Sequence, residues 1–162
     1  MTEGMFALAG VLLGTVVGFL GDRATRRWEE ARSWRERTIE AIATCRVVLS
    51  KMPVDTVLLN FRPTKTAEHL GIVWETFDAA RMSLHQLAAG HPQAYVRRSI
   101  LDLERLVGLT YGRLAFAVNL LERHEDMRDE REAANEARNE ATELMAKLES
   151  HLHTGKCNRD GS

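Results

Sequence analysis

Apolar positions recur along this chain in two different ways. From Gly4 to Gly21 they run without interruption, GMFALAGVLLGTVVGFLG, leaving no polar face at any helical period. From Asp22 onward they return every three or four residues, the spacing of helices that bury one side. Trp34, Thr38, Ala41, Cys45, Val48 and Met52, with Ile42 and Leu49 beside them, predict a helix over 22–52 that continues the N-terminal one. Pro53 ends it, and the apolar loop over 54–61 is expected to fold back over the end of a bundle. Thr64 or Thr66 can cap a second helix over 66–89, striped by Leu70, Val73, Phe77, Ala80, Leu84 and Leu87. Gly90-His91-Pro92 closes it, and the short connection makes an antiparallel hairpin with a third helix over 93–122. There Val96, Ile100, Leu103, Val107, Thr110, Leu114, Ala117 and Leu121 continue the spacing.

A fourth stretch, 123–152, carries a thinner stripe: Ala133, Ala134, Ala137, Ala141, Leu144, Leu148 and Leu152. Period alone leaves open whether it folds back or prolongs the third helix as a solvated rod. Residues 153–162 are expected to be a disordered tail. The fold class is therefore all-α: one transmembrane helix over 4–21 leading into a cytoplasmic domain, 22–152, built as an antiparallel bundle of three or four helices.

The transmembrane assignment rests on length and flanks. The 18 uncharged residues between Glu3 and Asp22 reach about 27 Å as a helix, close to the ~30 Å hydrocarbon core of a bilayer. A signal peptide would need basic residues ahead of the apolar run, and Met-Thr-Glu has none. The arginines come after it, at Arg23, Arg26 and Arg27, which places the C-terminal side in the cytoplasm and the N-terminus outside. The same arginines suit anionic lipid, and Trp28 suits the headgroup level. Gly10, Gly14 and Gly18 repeat every four positions and line a groove through which two spans can associate, so a homo-oligomer is expected. A glycine-rich composition also yields this spacing by chance.

Charge adds two features. The chain carries 22 Lys+Arg against 23 Asp+Glu, a formal net charge of -1, and Arg97-Arg98 is too small a basic patch to suggest nucleic acid as a partner. The balance does not hold locally, since residues 122–149 hold ten acidic and five basic side chains, an acidic face suited to a cytoplasmic protein partner. Gly108 and Gly112 form a second small-xxx-small pair, expected to allow close helix packing with Gly71 as a counterpart. Cys45 and Cys157 are too far apart in sequence for a zinc ribbon or a disulfide framework.

No phosphate-loop, dinucleotide, nucleophile-elbow or zinc-protease motif occurs in the sequence. His151 and His153 with Glu149 read as surface polar residues rather than metal ligands. No catalytic residue, cofactor or metal site is assigned, and the chain is expected not to be an enzyme.

The glycine-rich span ALAGVLLGTVVGFL, the arginine-rich GDRATRRWEEARSWRER and the stretch TIEAIATCRVVLSKM together resemble the KilB-type plasmid-spread membrane proteins of actinomycetes, over about the first 52 residues. The resemblance implies a non-enzymatic membrane role in plasmid transfer or spread. The residues themselves suggest a self-associating scaffold or adaptor. Membrane-anchored division and envelope scaffolds share the layout, and a membrane-permeabilising lysis or toxicity factor acting through the span is the contrasting reading.

Overall fold

The computed structural model describes the backbone of residues 3–154 and the side chains of residues 22–154, and every described element is helical. In chain order these are α1 (Glu3–Ser50), α2 (Val54–Leu59), α3 (Pro63–Gly90), α4 (Ala94–Glu122) and α5 (Arg128–Thr154). The chain divides after Glu36 into two compact units, residues 1–36 and 37–162. Among the described residues no helix is long and apolar enough to cross a membrane. The side chains of the predicted span 4–21, with Gly10, Gly14 and Gly18, lie outside the described residues, as does the tail from Gly155.

In the first unit the described side chains are those of a solvated helix. Residues 22–32 are all exposed, among them Arg23, Arg26 and Arg27, and Trp28 is 66% exposed. Arg32 lies 5.9 Å from the Trp28 ring centroid and forms an i,i+4 ion pair with Glu36 at 2.8 Å. Pairs of this kind contribute about 0.3–0.5 kcal/mol.

The second unit is an all-α bundle. No glycine or proline interrupts α1 from Asp22 to Ser50, and its Ile42, Cys45, Val48 and Leu49 are buried, followed by Met52. Leu70, Val73, Phe77, Ala80, Leu84 and Leu87 of α3 meet Val96, Ile100, Leu103, Val107 and Leu114 of α4 in the interior. Trp74 stacks on Tyr111 and His85 contacts Glu104, so α3 and α4 run antiparallel. Arg113 bonds Glu130 while Tyr95 touches His151, so α4 and α5 are antiparallel too.

Several local expectations are corrected. The 54–61 segment is not a loop throughout: Val54–Leu59 forms α2, and Val54 and Leu58, four residues apart, turn into the core while Leu59 is 82% exposed. Neither Thr64 nor Thr66 is the N-cap of α3. The helix starts at Pro63, whose fixed φ suits a first helical position, and Thr66 Oγ1 instead accepts from the Arg62 N–H at 3.2 Å. In α5 the buried stripe is Ala134, Ala137, Ala141, Met145 and Leu148, with Leu144 and Leu152 only half-buried. Met145 keeps the 3.6-residue period on the core face, and Leu144 falls beside it.

The chain does fold back between α4 and α5. His124 adopts φ 59°, the left-handed region, as the residue after the Arg123 C-cap. The Glu125 N–H donates to Leu120 O at 2.9 Å and the His124 N–H to Leu121 O at 3.2 Å. That pair of bonds is a Schellman ending, which satisfies carbonyls the helix would otherwise leave open. Asp126 Oδ1 then accepts from the Arg128 N–H at 3.0 Å and starts α5.

Candidate interaction surface

The most distinctive surface feature lies on the face of α4 turned away from the core. Leu101, Arg105, Leu109, Gly112 and Phe116 are spaced by four, four, three and four residues and share one side of the helix. All five are exposed, Leu101 at 44%, Leu109 at 41% and Phe116 at 52%. A shallow groove of ≈ 560 Å³ runs along this face, lined by Arg105, Gly108, Leu109, Gly112, Arg113, Phe116 and Glu130.

The glycines shape the groove. A Cβ on Gly108 would meet the Phe77 ring of α3 at 3.6 Å, an ordinary contact, whereas one on Gly112 would meet nothing within 4 Å. Gly71, the expected counterpart, also faces open space. Gly108 therefore lies under the edge of α3 without a tight crossing, and Gly112 contributes an open notch rather than a packing contact within the bundle.

The groove's flanks are fixed by aromatic and ionic contacts. On the α3 side Trp74 lies 5.0 Å from the Tyr111 ring and 5.8 Å from Phe77, and partial burial raises the Tyr111 hydroxyl above its usual range. On the α5 side Arg113 Nη1 donates to both Glu130 oxygens, at 3.0 and 2.9 Å. Leu109 and Phe116 are functional candidates that the core stripe of α4 does not reveal. Their signal in the sequence is a second row of apolar positions, one side over from the buried one.

Other titratable groups serve the fold. Burial, with Glu104 as a second influence, pushes the Cys45 thiol up to about 12. The side-chain hydrogen bond from Arg131 holds the exposed Asp55 carboxyl below its usual range, tying α2 to α5 at 2.7 Å. Burial lowers His91, whose Nδ1 accepts from the Gln93 N–H at 3.2 Å, with Arg97 and His151 nearby adding positive charge. Arg97 Nη1 donates to the carbonyls of His91 and Pro92 and so clamps the α3–α4 turn. His151 Nε2 is 3.3 Å from Gln93 Oε1, which places it at a helix contact. Among the described residues no group of three or more His, Cys, Asp or Glu could hold a metal ion.

Arg23, Arg26 and Arg27 are exposed and take part in no ion pair among the described residues. They belong to the first unit, and Gly108 and Gly112 of α4 to the second. Neither family models, curated proteins nor solved structures provide a match to this chain.

Proposed function

We propose that the chain is a non-enzymatic, membrane-anchored helical scaffold or adaptor. In this reading 4–21 is a single span, the N-terminus lies outside, and the bundle is cytoplasmic and presents its surfaces to a protein partner. The observation that carries it is the juxtaposition in one helix of 18 uncharged residues with the exposed arginines at 23, 26 and 27. Such a collar suits the cytoplasmic edge of a bilayer and its anionic lipid. Association of spans through Gly10, Gly14 and Gly18 would bring bundles together. The resemblance to plasmid-spread proteins supplies the setting, transfer or spread of a plasmid.

A structural rather than catalytic role is supported by how the buried polar side chains are used. Thr110 Oγ1 donates to Leu106 O at 2.9 Å, and Thr66 Oγ1 accepts from a backbone N–H, so both serve helix backbone. Membranes washed with alkaline carbonate should retain the full chain, and Cys157 in intact cells should resist a membrane-impermeant maleimide. Extraction by carbonate would refute the anchor, and labelling of Cys157 would refute the orientation. Overexpression separates the scaffold from a lysis factor: growth without dye entry supports the scaffold, and rapid dye entry overturns it.

A further inference from the structure

We draw no further inference here: the strongest candidate, the exposed apolar row of Leu101, Leu109 and Phe116 beside the shallow groove on the outward face of α4, is an unpartnered surface, and nothing in the structure shows what covers it.

Discussion

Replacing His124 by glycine should stabilise the bundle. His124 sits at φ 59°, where a residue with a Cβ crowds the following carbonyl at a cost of about 1–2 kcal/mol. The side chain is exposed and makes no described hydrogen bond, so removing it forfeits nothing in the folded state. Glycine gives back roughly 0.5–1 kcal/mol through its greater freedom in the unfolded chain. The net gain is therefore about 0.5–1 kcal/mol, which for a bundle of this size raises the melting temperature by roughly 2–4 °C. The Schellman bonds from Glu125 to Leu120 and from His124 to Leu121 depend only on the backbone and persist in the variant. Thermal unfolding of the full chain by circular dichroism should rank His124→Gly above the parent and His124→Val below it. A Gly variant no more stable than the parent, or a Val variant equal to it, would refute the assignment of strain to this turn.

Cys45, with its thiol near 12, should hold about a thousandfold less thiolate at pH 8 than an ordinary cysteine at 9.0. In a Cys157→Ser variant, a disulfide reagent should react with Cys45 only after denaturant is added; prompt reaction in the native state would contradict its burial. His91 should make the bundle acid-sensitive. Its folded-state pKa lies below the ordinary 6.5, so the unfolded chain takes up the proton first, and its stabilising contribution is complete above pH 6.5 and lost as pH falls through the folded value. His91→Asn, whose Oδ1 can accept the Gln93 N–H in place of Nδ1, should flatten denaturation midpoints between pH 7 and 5, and an unchanged slope would show that His91 does not set it. Leu148→Ala should cost about 2–5 kcal/mol in chemical denaturation, because Leu148 is fully enclosed. A loss under 1 kcal/mol, roughly the scale of a surface change, would mean that the end of α5 is loosely packed.

The helical stripes were legible because burial in a bundle imposes a 3.6-residue period, and Leu70 to Leu87 and Val96 to Leu114 display it without interruption. What escaped the sequence was decided by single backbone choices. The fold-back after Glu122 depends on a histidine in a conformation usually signalled by glycine, so the segment from Glu122 to Met127 offered no breaker to read. The six-residue α2 hid between Pro53 and Pro63, where the proline boundaries pointed to a loop and only the Val54–Leu58 spacing pointed to a helix turn. At the interaction surface the glycine pair was visible but its use was not. Period locates Gly112 on α4, and only the placement of α3 determines whether a neighbour fills the space in front of it.

The placement of α5 shows how shape and charge divide the task of fixing this bundle. Its core face is mostly alanine at the start and turns to Met145 and Leu148 near the end, so the apolar contribution to docking is concentrated toward its C-terminal half. Three ion pairs hold it, two side by side at its start and one near its end: Arg131 with Asp55 of α2, Arg113 with Glu130, and Arg46 of α1 with Glu149 at 2.8 Å. Each has a partner about half exposed, so each contributes roughly 0–1 kcal/mol and none anchors the helix alone. Their effect is on register. An alanine face slides more easily than an interlocked leucine face, and a one-residue slip would break all three pairs together. Held in that register, the start of α5 keeps Glu130 beside Arg113, which walls one side of the α4 groove.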